Sequence, residues 1–171
     1  MTPPPIDSRP AKRLRLSSTL ALAACVLACL VVGAGGAFAS AHGVPTWYRT
    51  IPKPPWTPPD GVFGPVWTVL YIAMGVAVWR IWRRPASPSR RRALVLFGVQ
   101  LALNAAWSPV FFALERPAAA LVVIVALDLA LGLTIRAFRR VDRVGAWILG
   151  PYLAWCLFAT ALNAAIVRLA A

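Results

Sequence analysis

Five long apolar runs, each near the ~20 residues an α-helix needs to cross a bilayer, govern what this chain of 171 residues can become. They fall at about 19–39, 63–82, 93–114, 118–138 and 144–169, and arginine clusters or prolines separate them. No alternation of polar and apolar residues runs through them, which speaks against a transmembrane β-barrel. With 60% of residues hydrophobic and 13% charged, the chain lies outside the range of a soluble globule. The pattern predicts an all-α membrane protein, a five-transmembrane-helix bundle over 19–171. A disordered, basic N-terminal tail is expected over 1–18.

The net charge of +13 invites a nucleic-acid reading, but the charges form no basic face and no nucleic-acid motif. They flank the apolar runs instead. Fourteen of the eighteen basic residues fall in the N-terminal tail, in Arg80–Arg92 and in Arg136–Arg143, which five alternating spans place on one side. Only Arg49, Lys53, Arg116 and Arg168 fall on the other. Basic loops stay in the cytoplasm, so the N-terminus is expected inside, the C-terminus outside, and the 40–62 loop outside. The start of the chain also resembles a signal peptide ending at Ala37-Phe38-Ala39, or a lipoprotein box at Leu22–Cys25. Its apolar core is long for either, and the first run is expected to remain as a span. Cys25, Cys29 and Cys156 lie within apolar runs and read as small hydrophobes. The single histidine, His42, cannot build a metal centre alone.

Between the first two runs the chain is rich in Trp, Tyr and Pro: Trp47, Tyr48, Pro52, Pro54, Pro55, Trp56, Pro58 and Pro59, then Pro65, Trp67 and Tyr71. Proline fixes φ and removes a donor, so this loop is expected to be a stiff lid. Its amphipathic aromatics suit the membrane–water boundary. Pro65 is expected in the first turn of the second helix, where a missing N–H costs little.

Spacing groups further residues. Trp67 and Tyr71 are four apart and share a helix face. Asn104, Trp107 and Ser108 share one on the third run, and Trp155, Ala159 and Asn163 on the fifth. Amides at membrane depth must face protein or a cavity, so Asn104 and Asn163 should point inward, either as interhelical glue or as ligand contacts. Trp79, Trp82 and Trp147 read as interfacial belt residues. Asp128, in the middle of the fourth run, could pair with an arginine, stay protonated or bond across a helix interface. Gly33 with Ala37, Ala102 with Ala106, and Ala126 with Ala130 permit close helix approach, inside the bundle or between copies.

Three ordered blocks resemble the TspO/MBR family of tryptophan-rich sensory proteins and mitochondrial translocator proteins (peripheral benzodiazepine receptors). The first is Trp47-Tyr48, Lys53-Pro54, Trp56, Pro58-Pro59, Phe63, Pro65–Thr68 and Leu70-Tyr71, with Met74-Gly75 beyond. The second is Gln100–Asn104 through Trp107-Ser108 to Phe111-Phe112. The third is Pro151–Leu153, Trp155, Phe158–Thr160 and Leu162-Asn163. The resemblance implies a five-helix bundle, commonly a homodimer in the bacterial cell membrane, with a pocket beneath the first long loop. It implies no obligatory cofactor, and ligands that are porphyrins or haem-like tetrapyrroles, synthetic isoquinolines and benzodiazepines, and in some relatives sterols. The candidate ligand-binding residues are then Trp47, Trp56, Trp67, Tyr71, Asn104, Trp107, Tyr152, Trp155, Ala159 and Asn163. The expected function is a membrane-embedded sensor, scavenger or transporter of flat hydrophobic ligands, with lipid and tetrapyrrole as partners and no nucleic acid.

The alternative is a light-dependent porphyrin-degrading oxidoreductase with Trp67 as its redox-active residue. No acid–base pair, nucleophile triad or metal cluster supports ordinary catalysis. Ala164 stands where some relatives carry a second tryptophan implicated in that chemistry. The segment Leu162–Arg168 lacks the tyrosine of the weak sterol motif. Inverted repeats typical of secondary transporters are not visible.

Overall fold

The computed structural model describes residues 9–170, with side chains from Ser18 onward except that of His42. Among the described residues six α-helices follow in order: α1 (Arg9–Gly43), α2 (Asp60–Trp82), α3 (Pro88–Ser108), α4 (Pro117–Arg139), α5 (Arg143–Ile148) and α6 (Gly150–Leu169). They make five helical segments long and apolar enough to cross a membrane, with α5 and α6 forming the last. The protein is an all-α, multi-pass membrane protein. Residues 1–8 of the expected tail lie outside the described residues. From Arg9 the chain is already helical, because Ala11–Leu16 is a run of strong helix formers.

Proline accounts for most departures from the expected boundaries. α2 starts at Asp60, so Pro65 lies inside it rather than in its first turn. Pro65 cannot donate to the carbonyl of Gly61, and both residues are exposed where that carbonyl can find water. Pro151 has no N–H for the carbonyl of Trp147, and the fifth span breaks between α5 and α6 at Leu149. Pro45 and Pro109 each sit in a one-turn π-helix, Val44–Tyr48 and Pro109–Ala113. In the second, the wider turn is closed by the i→i+5 bond from Leu114 N to Pro109 O at 2.9 Å, a substitute for the ladder that proline interrupts. The loop expected over 40–62 therefore shrinks to a non-helical stretch at 51–59. Glu115 then takes a left-handed φ of 54° and turns the chain into α4, whose first turn holds Pro117.

The helices close into a ring in which α1 packs on α2 and α3, α4 on α3 and α6, and α5 on α2 and α4. Two glycines set the α1–α2 distance. A Cβ on Gly75 would lie 2.5 Å from Val26 Cα, and one on Gly33 would lie 2.5 Å from the Tyr71 ring. The basic end is filled by Met74, Ile81, Leu131, Phe138 and Leu149, all fully buried. Asp142 locks this end. Its buried carboxylate accepts from Arg80 Nε and Nη2 at 3.1 Å, from Arg84 Nε and Nη2, and from Gly145 N at 2.7 Å, which caps α5. Burial raises its pKa, but the Arg84, Gly145 and Arg80 hydrogen bonds outweigh burial and hold it at about 2.

Candidate functional site

The opposite, loop-side end is hollow. A cavity of about 650 Å³ lies among α1, α2, α3 and α6, within the size range of small-molecule sites. Its walls are aromatic on three sides: Phe63, Trp67 and Tyr71 from α2, Trp107 with Phe111 and Phe112 from α3 and its π-turn, and Trp155 from α6. The fourth wall is small, with Gly33, Ala34, Gly36, Ala37, Ser40 and Ala41 of α1 leaving the space that those rings face.

Of the residues singled out by sequence, Trp67, Tyr71, Asn104, Trp107, Trp155, Ala159 and Asn163 all line this cavity. The helical spacings at 67/71, 104/107/108 and 155/159/163 bring them together. The other three stand outside it. Trp47 packs edge-on against Phe111 at 5.7 Å, because the π-turn re-aims it from a loop position onto the bundle. Trp56 is half-exposed and rests on Phe158 at 5.8 Å. Tyr152 is fully buried behind Trp67, ring to ring at 6.2 Å. Lys53 likewise does not reach the cavity: its ammonium donates to the Tyr48 carbonyl and sits 4.4 Å from the Tyr48 ring centroid, pinning the loop.

The two asparagines are both glue and wall. Asn104 accepts from Tyr71 OH at 2.5 Å and donates to Tyr152 OH at 3.0 Å, which in turn donates to Gln100 Oε1 at 3.0 Å. This chain joins α2, α3 and α6 and holds the Tyr71 ring against Trp67, 5.6 Å between centroids. Asn163 accepts from Trp107 Nε1 at 3.2 Å and donates to the Pro117 carbonyl at 2.9 Å, tying α6 to α3 and to the start of α4. Asp128 is outside the site. It bonds across the α4–α6 interface, accepting from Thr160 Oγ1 at 2.7 Å.

Sequence reasoning missed Tyr48, Phe111, Phe112 and Asp60 as lining residues, and it read Gly33 and Ala37 only as packing residues. Tyr48 and Phe111 are brought together by the two π-turns, ring centroids 6.1 Å apart, a pairing no helical period could reveal. Burial, and secondarily the Asp60 carboxylate, push the Tyr48 phenol up to about 12. It is therefore a neutral hydroxyl at physiological pH. The cavity is thus apolar and flat-walled with few polar contacts. The Trp155 indole N–H is buried without a hydrogen-bond partner, and Asp60 supplies the charge at the rim. Among the described residues no group of three or more His, Cys, Asp or Glu could hold a metal ion.

Comparison with known proteins places this geometry. A model of the TspO/MBR family matches residues 25–169. The chain is similar to the tryptophan-rich protein TspO of Archaeoglobus fulgidus, 44% identical over 88% of this chain and 97% of that one. It is similar to the human translocator protein, 38% identical over 83% of both chains. A third relative is the tryptophan-rich sensory protein of Cereibacter sphaeroides, 39% identical over 72% of this chain and 76% of that one.

Proposed function

The chain belongs to the TspO/MBR family, and from that premise and the cavity we propose that it is a membrane-embedded binding protein for porphyrins and haem-like tetrapyrroles. Its role would be that of a sensor, scavenger or transporter. The observation that carries this reading is the set of rings from Trp67, Tyr71, Trp107 and Trp155 around one cavity. Flat conjugated ligands gain from such walls beyond the area they bury. The macrocycle lies against those four residues and accepts a hydrogen bond from the Trp155 indole. Its carboxylates point to the loop end. The names of relatives, a translocator and a sensory protein, agree with this role.

By the charge asymmetry the N-terminus and the arginine-rich end lie in the cytoplasm of a bacterial cell and the cavity end lies outside. The assembly is a homodimer. Gly98, Ala102 and Ala106 form an exposed row on α3 where a second copy can approach closely.

Titration of protoporphyrin in detergent, followed by tryptophan quenching, tests the reading. Trp67→Ala is expected to weaken binding about tenfold or more, as loss of a central aromatic anchor does. Unchanged affinity would remove Trp67 from the site and the proposal with it. Asp60→Asn is expected to act in the opposite direction. Removing a carboxylate at the rim should tighten binding of a dianionic porphyrin by about threefold at low salt, with the gain fading as salt screens it. A gain that persists at high salt would show that Asp60 acts otherwise than through charge.

A further inference from the structure

A second depression lies at the other end of the bundle, far from the aromatic cavity. It is a groove of about 470 Å³ between the start of α3 and the end of α4, lined by Ser89, Arg92, Leu96, Leu133, Arg136 and Arg140 among others. We propose that this groove is a binding site for the phosphate headgroup of an anionic phospholipid.

Arginines at the cytoplasmic ends of spans are ordinary topological markers, and Arg136 and Arg140 also suit a helix C-terminus. Neither role calls for a recess between the helices with three guanidinium groups around it. Helical spacing builds the recess. Arg92 and Leu96 are four apart on α3, and Leu133, Arg136 and Arg140 follow at three and four on the facing side. The charges lie at the membrane edge and the apolar residues one turn deeper. All three cations are arginine, whose planar fork grips phosphate in bidentate fashion. Ser89 brings the first turn of α3 to the groove, and Ser87 caps that 21-residue helix by accepting from Arg90 N. The positive end of its dipole therefore faces the same space.

The counter-charge is not supplied from within the described residues. Asp142 is taken by Arg80 and Arg84, Asp128 bonds to Thr160 in mid-span, and Asp60 and Glu115 belong to the loop end. A lipid is favoured over free phosphate because the apolar floor continues into the membrane. Leu129, one turn beyond Leu133, is exposed on the same face of α4 and offers a track for an acyl chain. Basic recesses between spanning helices on the cytoplasmic side are the usual setting for anionic headgroups.

The full chain, purified in detergent, would be titrated with dioleoyl-phosphatidylglycerol, dioleoyl-phosphatidylcholine or inorganic phosphate, and bound molecules counted by native mass spectrometry. One phosphatidylglycerol per chain is expected, bound about tenfold more tightly than phosphatidylcholine. The triple variant Arg92→Gln, Arg136→Gln, Arg140→Gln should lose about tenfold in that affinity. A control triple, Arg91→Gln, Arg139→Gln, Arg143→Gln, removes the same charge from exposed positions outside the groove and should change it by less than about threefold.

Equal loss in both triples would reduce the effect to general attraction and overturn the site. No preference for phosphatidylglycerol would do the same. Displacement of the lipid by millimolar inorganic phosphate would reassign the groove to a free anion. Should the first triple melt below the parent, Arg136→Gln against Arg139→Gln repeats the comparison with one charge.

Discussion

Replacing Asp142 with alanine is expected to lower stability by about 3 kcal/mol, read as a lower thermal midpoint in detergent. The carboxylate is 2% exposed and receives hydrogen bonds from two arginines and from Gly145 N. Its loss leaves Arg80 and Arg84 facing each other unpaired and removes the cap of α5, a cap alone being worth about 1 kcal/mol. The figure lies at the low end for a buried pair because the Arg80 and Arg84 side chains are 26% and 46% exposed and partly screened by solvent. Asp142→Asn keeps an oxygen for Gly145 and should recover the cap but not the charge. The native pKa of about 2 lies below the ordinary carboxylate value. The contribution is therefore complete above about pH 4 and lost as pH falls toward 2. The asparagine variant should show no such loss from this site over that window. If Asp142→Ala melts with the parent, the lock carries no weight.

Asn104→Ala is the second large effect. The asparagine is the only link between Tyr71 OH and Tyr152 OH that the hydrogen-bond pattern provides among the described residues. Without it Tyr71 loses its acceptor, Tyr152 loses one of its partners while keeping Gln100, and a void opens at the cavity floor. Interhelical hydrogen bonds in membranes average well under 2 kcal/mol. Two of them plus the void suggest a cost of about 2–3 kcal/mol. Porphyrin affinity should fall as well, because the Tyr71 ring is no longer held beside Trp67. Asn104→Asp, an isostere that still accepts from Tyr71, should keep that ring in place while losing the donor to Tyr152. A stability loss with porphyrin binding untouched would leave Asn104 a fold residue alone.

Five spans were legible because each needs only length and apolarity, which the runs state directly. Seven lining residues of α2, α3 and α6 were named through the family resemblance, and their spacing of three and four explains why they share a helix face. The rest needed three dimensions. Pro45 and Pro109 cannot donate to a helical ladder, yet each is absorbed in a π-turn, so α1 runs on to Gly43 and Trp47 leaves the expected lid. Asp142 is 62 residues from Arg80, and nothing in either neighbourhood announces the pair. Gly33 and Ala37 carry a small-residue spacing that serves close packing and an open wall equally well. The structure uses it for both, seating Gly33 on Tyr71 and leaving Ala37 beside empty space.

The paired π-turns bear on how the chain tolerates change in length. Each takes up one residue more than a regular turn would, and the rings of Tyr48, Phe111 and Phe112 meet only because both do so. Deleting a single residue from either would let the rod straighten and rotate everything beyond it by roughly 100°. Substitutions at the rim are therefore far better tolerated than gaps. Relatives of this chain should vary in spelling across 44–48 and 109–113 while keeping the count.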